Sequence, residues 1–100
     1  MTDDETNPEE VVLPIEDRLD LHAFDPRDVS SVVESYLDEA LAAGFREVRL
    51  IHGRGVGVQR EIVRSLLGRR ADVAEFFDAP PERGGWGATI VRFGPRRPQV

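Results

Sequence analysis

The chain has 100 residues, which suits one small domain, and no cysteine, which excludes a disulfide framework and a thiolate metal site. Its formal charge is −6. The acids of residues 1–16 (Asp3, Asp4, Glu5, Glu9, Glu10, Glu16), unaccompanied by any base, account for all of it, so the remainder is balanced. No apolar run approaches membrane-spanning length, and the acidic start is unlike the basic start of a signal peptide, so a cytoplasmic protein with no membrane partner is expected.

Residues 1–16 are too polar and acidic to order themselves and are expected to form a disordered tail. Arg18 to His22 alternates, with Leu19 and Leu21 on one face of a short strand and Asp20 and His22 on the other. A helix opens after it. Asp25 suits the N-cap, Pro26 the first helical position and Asp28 the positive end of the helix dipole. Apolar residues at Val29, Val32, Val33, Tyr36, Leu37, Ala40 and Leu41 keep helical spacing, and Gly44 is a natural stop.

Val48 to His52 reads as a second strand and leads into His52-Gly53-Arg54-Gly55-Val56-Gly57. A second helix from near Val58 puts Val58, Ile62, Val63, Leu66 and Leu67 on its inner face and ends within 68–72. Val73 to Asp78 reads as a third strand, residues 79–85 as a loop, and Trp86 to Phe93 as a final strand. Residues 95–100 are expected to be irregular, leaving 17–94 as the domain. The order β-α-β-α-β-β implies a two-layer α/β sandwich: a four-stranded mixed sheet with both helices on one face. No segment is left over to cover the other face, so part of it is expected to be exposed, or used for binding or self-association.

Three segments are candidates for chemistry. A carboxylate beside an imidazole, as in Asp20-x-His22, can orient the ring and stabilise its cation, as general acid–base catalysis requires. The plainer reading is a surface pair at a strand end. In the second segment Gly53, Gly55 and Gly57 alternate between a strand and a helix N-terminus, where free N–H groups suit a phosphate; His52 and Arg54 add a titratable group and a fixed positive charge. The spacing matches neither the dinucleotide-binding fingerprint nor a Walker loop. Arg60 and Arg64, four apart near that helix start, either continue a phosphate track or form a solvated face. In the third segment, Gly84-Gly85-Trp86-Gly87-Ala88-Thr89, Gly85 and Gly87 allow close backbone approach, and Trp86 is either a base-stacking platform or packing. No metal-ligand spacing is present and no cofactor is called for. A hydrated divalent ion such as Mg²⁺ could sit on Asp20 opposite a phosphate, but nothing requires it.

Taken together, in this order and at these distances, Leu19-Asp20-Leu21-His22, the His52–Gly57 turn and Gly84–Thr89 resemble the three signatures of the Smr (small MutS-related) domain across residues 17–94. The resemblance implies a fold like the C-terminal domain of bacterial translation initiation factor three. It also implies a protein that binds DNA or RNA, as a monomer or weak homodimer, and that acts as an endonuclease. Asp20, His22, His52 and Arg54 are then the catalytic candidates; Gly53, Gly55, Gly57, Arg60, Arg64, Gly85, Trp86 and Gly87 are the phosphate- or nucleic-acid-binding ones. On this reading His52 either protonates the leaving oxygen or supports the loop. A non-catalytic nucleic-acid-binding or protein-interaction module is the alternative. In the family's first motif glycine commonly follows the histidine; here Ala23 stands there, which implies an ordinary backbone or a differently shaped strand end.

Overall fold

The computed structural model describes residues 14–55 and 57–95. The expected acidic tail up to residue 13, the expected irregular tail from residue 96, and Val56 lie outside them. The elements run β1 (Arg18–Asp20), α1 (Pro26–Ala42), β2 (Glu47–Ile51), α2 (Val58–Arg69), β3 (Val73–Asp78) and β4 (Ala88–Phe93). Two single-turn 3₁₀ segments, Pro81–Arg83 and Gly85–Gly87, lie between β3 and β4.

Local signals set the helix ends. The Asp25 carboxylate accepts the Arg27 N–H at 3.0 Å, with Pro26 at the first helical position. At the other end the Gly44 N–H reaches Leu41 O and the Phe45 N–H reaches Ala40 O, with Gly44 at φ +90°. That pair of bonds is the Schellman closure, and its left-handed residue is the reason glycine stands there. α2 starts on Gly57 at φ +88° with no side-chain cap, so the N–H groups of its first turn lack the partner that Asp25 gives α1.

The sheet order is β1-β2-β4-β3, with β1 parallel to β2 and the other neighbours antiparallel. One core joins Val29, Val33, Tyr36, Leu37 and Ala40 of α1, Val63, Leu66 and Leu67 of α2, and Val48, Leu50, Val73 and Val91 of the sheet. Both helices therefore pack on one sheet face. Val58 departs from the expected inner face: it is exposed at the start of α2.

The opposite face is less bare than expected. The β3–β4 connection folds back over part of it, where the Arg83 carbonyl accepts from Arg49 Nη1 at 3.0 Å and Ala79, Ala88 and Ile90 form a second small core with Ile51 and Phe77. Elsewhere on this face Arg92 bonds Glu47 and Glu75, both at 3.0 Å, and lies over the Phe77 ring. A fold-back of this kind is a tertiary event that element counting cannot see. Three strands fall short of their expected bounds: β1 ends at Asp20, before Leu21 and His22. His52 lies just past β2, and Trp86 lies in the 3₁₀ turn before β4, because the backbone at Gly87 turns inward to meet β2.

Candidate functional site

β1 and β2 run parallel as neighbours, so the loops leaving their C-terminal ends lie side by side. The Leu21 N–H donates to Ile51 O at 2.7 Å and carries the pairing one residue beyond β1. Between the two loops opens a cleft of about 480 Å³, whose walls include His22, His52, Gly53, Arg54, Gly55, Gly57, Val58 and Arg60. Gln59 ties the two loops together, its Nε2 donating to Phe24 O at 2.8 Å.

Asp20 and His22 meet as their spacing implies. His22 Nδ1 donates to Asp20 Oδ1 at 2.7 Å, and the His22 backbone N–H reaches the same oxygen at 3.1 Å. Those two bonds hold the Asp20 carboxyl below the usual carboxylate range. The ring is thereby presented with Nε2 outward, and its side chain is 72% exposed. Ala23 is accommodated within a turn in which the Phe24 N–H closes on Leu21 O at 3.0 Å.

His52 has a different setting. It is 5% exposed, with Nε2 2.8 Å from Thr89 Oγ1 and Nδ1 3.1 Å from Gly53 O. A carbonyl can only accept, so Nδ1 carries the proton and Nε2 accepts from the threonine hydroxyl. Burial pushes the imidazole pKa down, and the nearby cations Arg60 and Arg64 push it the same way, against the Gly53 carbonyl bond. A neutral ring with both nitrogens engaged braces the loop. The leaving-group acid weighed as its other role would need one of those nitrogens.

The third segment builds the floor of the glycine turn. Gly87 O accepts from the N–H groups of both His52 (3.0 Å) and Gly53 (2.8 Å), so the Gly53 N–H is turned away from any ligand. Among the described residues the donors that remain for an anion are those of Arg54, Gly55, Gly57 and the first turn of α2. Arg54 lies across the glycines. A β-carbon on Gly85 would sit 2.7 Å from Arg54 Nη2, and one on Gly87 would sit 3.0 Å from Arg54 Cγ and 3.5 Å from the Gly53 carbonyl carbon. Gly85 and Gly87 thus make room for an arginine rather than for a ligand directly.

Arg60 and Arg64 converge on one carboxylate. Arg60 Nη2 donates to Asp78 Oδ1 at 2.7 Å, and Arg64 Nη2 bonds the same oxygen. The two guanidinium groups hold the Asp78 carboxyl below its ordinary pKa. Arg64 stacks on Phe76, on the core side of β3, whereas Arg60 lines the cleft and stacks on Trp86 with its guanidinium carbon 5.2 Å from the ring centre. Asp78, Thr89 and Gln59 are site residues that the local sequence does not mark. Asp78 and Thr89 are register partners on β3 and β4, a pairing with no local signature.

Among the described residues no group of three or more His, Asp or Glu side chains is placed to hold a metal ion, and no helix is long and apolar enough to cross a membrane. The cleft offers the imidazole of His22 oriented by Asp20, the guanidinium of Arg54 beside the carboxylate-paired Arg60, and a set of backbone donors. That combination can hold an oxyanion and move a proton beside it.

A family profile described as the Smr domain matches residues 19–94. The chain is 39% identical over 77 residues to "Endonuclease MutS2" of Thermus thermophilus and 40% identical over 75 residues to that of Lactiplantibacillus plantarum. Those matches cover 77% and 75% of this chain but only 10% of each relative, so the chain spans about a tenth of the curated proteins it matches. Among solved structures, the Smr domain of Thermus thermophilus MutS2 superposes with a TM-score of 0.76 at 38% identity, covering 80% of this chain and all of that one. YdaL, a stand-alone small MutS-related protein from Escherichia coli, gives 0.75 at 31% identity, covering 84% of this chain and 67% of its own.

Proposed function

The chain belongs to the Smr domain family, and from that premise we propose that it binds a nucleic-acid backbone in the cleft and cleaves a phosphodiester there. One observation carries the reading: the Asp20–His22 pair, Arg54 and the uncapped start of α2 all open onto the same cleft. The non-bridging oxygens of the scissile phosphate sit on the N–H groups of Arg54, Gly55, Gly57 and the first turn of α2. Arg54 offsets the charge that grows on them as a fifth oxygen approaches phosphorus. His22 Nε2 takes the proton from the attacking water or ribose 2′-hydroxyl, and Asp20 stabilises the resulting imidazolium. The leaving oxygen departs toward the open side of the cleft, where solvent supplies its proton. His52 stays neutral and keeps the loop in shape. The relatives named as endonucleases support the reaction class, though each is about ten times the length of the match.

The test is nicking of supercoiled DNA and cleavage of a structured RNA by the native chain and by His22→Ala. The native protein is expected to cut at least one of them. His22→Ala is expected to bind with unchanged affinity and cut about 10²- to 10⁴-fold more slowly, the usual contribution of a positioned general base. Equal, salt-dependent binding with no cutting by either protein would leave a non-catalytic binding module. Absence of any salt-dependent affinity would point instead to a protein-interaction domain.

A further inference from the structure

Phe24, Val58 and Trp86 are the exposed large hydrophobic residues among those described, and two of them, Val58 and Trp86, stand at the cleft. Val58 is in its wall, and Trp86 stands against Arg60, which lines it. A site that bound phosphate alone would have no use for apolar surface. A water-facing indole beside an anion site fits a ligand that joins phosphates to flat apolar groups, as a nucleic-acid strand does.

We propose that Trp86 is a stacking platform for a nucleobase next to the bound phosphate, and that the chain therefore selects nucleic acid with unpaired bases. The inference rests on the backbone-binding reading above. The Trp86 side chain is presented by the 3₁₀ turn Gly85–Gly87, whose Gly87 carbonyl is tied to His52 and Gly53. The ring is thus tethered to the same backbone that shapes the phosphate loop. Arg60 holds one side of the indole, and Asp78 holds Arg60 in turn, so the ring is fixed before any ligand arrives. At 43% exposure the indole keeps free surface for a base. In a duplex the base faces are already stacked on one another, so only a single strand, loop or frayed end can supply a free face.

Trp86 is the chain's single tryptophan, so its fluorescence reports on this position alone. The experiment titrates the full-length chain with a short single-stranded oligonucleotide, a duplex of the same length and an abasic strand that keeps the phosphates but lacks bases. The single strand is expected to quench the emission and to bind roughly fivefold to a hundredfold more tightly than the abasic strand, the range for one stacked base. Trp86→Ala, followed by fluorescence anisotropy of a labelled strand, is expected to erase that preference, and Trp86→Phe to keep most of it. If single, duplex and abasic strands bind alike and the emission does not move, the stacking proposal is overturned while backbone binding stands. If none of the strands binds, both readings fail together.

Discussion

A histidine's role follows from where its two nitrogens go, and the two histidines here diverge on that point. His22, which lines the cleft, spends Nδ1 on Asp20 and keeps an exposed ring, whereas His52 spends both nitrogens on Gly53 and Thr89. The sequence marks both as candidates but cannot separate them, because the Thr89 hydroxyl arrives from a strand 37 residues away. The His52 setting has a consequence for stability. Its folded-state pKa lies below the ordinary 6.5, so the unfolded chain takes up the proton first. The stabilisation is present above about pH 6.5 and is lost as the pH falls toward the folded-state value. Urea unfolding midpoints are expected to drop between pH 8 and pH 5.5, above the range in which Asp20, Asp72 and Asp78, all held below 3.8, begin to protonate. Thr89→Val is expected to cost about 1–3 kcal/mol at pH 8, because it leaves a buried imidazole nitrogen without its donor. A midpoint unmoved by either change would contradict this account.

At the scale of elements, α1 is the part most fully legible in sequence: its cap, its apolar stripe and its glycine stop are all local signals, and each is found in place. β3 likewise runs over Val73–Asp78 as its pattern implies. The segment around Trp86 is not legible in the same way. Its run of small and β-branched residues reads as strand from Trp86 onward, yet the Gly87 carbonyl is drawn to the backbone of His52 and Gly53, and the chain turns before the strand begins. That turn is also what seats Arg54, and the coupling can be measured. Gly87→Ala puts a methyl group 3.0 Å from Arg54 Cγ, closer than an ordinary contact, and is expected to shift the Arg54 side chain. Arg54→Ala and Gly87→Ala should each weaken binding of a single-stranded oligonucleotide, and the double variant should lose little more than Arg54→Ala alone. Losses that simply add would show that the third segment acts on the ligand independently of Arg54.

For the molecule as a whole, charge is divided along the chain: the acids of residues 1–16 carry the net −6, and residues 17–100 are balanced. Those acids repel phosphates within a Debye length of about 10 Å at 0.1 M salt. Deleting residues 1–16 is expected to strengthen nucleic-acid binding at low salt, with the gain shrinking as salt is raised; equal affinities at low salt for the long and short chains would refute it. Balance in the remainder hides how its arginines are used. Arg60 and Arg64 are both answered by Asp78, Arg70 by Asp38 and Asp72, and Arg92 by Glu47 and Glu75. Arg54 alone among the site arginines rests on carbonyl and glycine rather than on a carboxylate, which keeps its charge available to a ligand. By itself the sequence determined the element order, the helix ends and the three segments that meet at the cleft, because periodicity, caps and glycine turns act over a few residues. Only the tertiary structure decided which histidine faces solvent, which arginines are neutralised and that Arg54 lies against Gly85 and Gly87. Each of those depends on a partner brought across the sheet by strand register, and register joins residues whose separation along the chain carries no local mark.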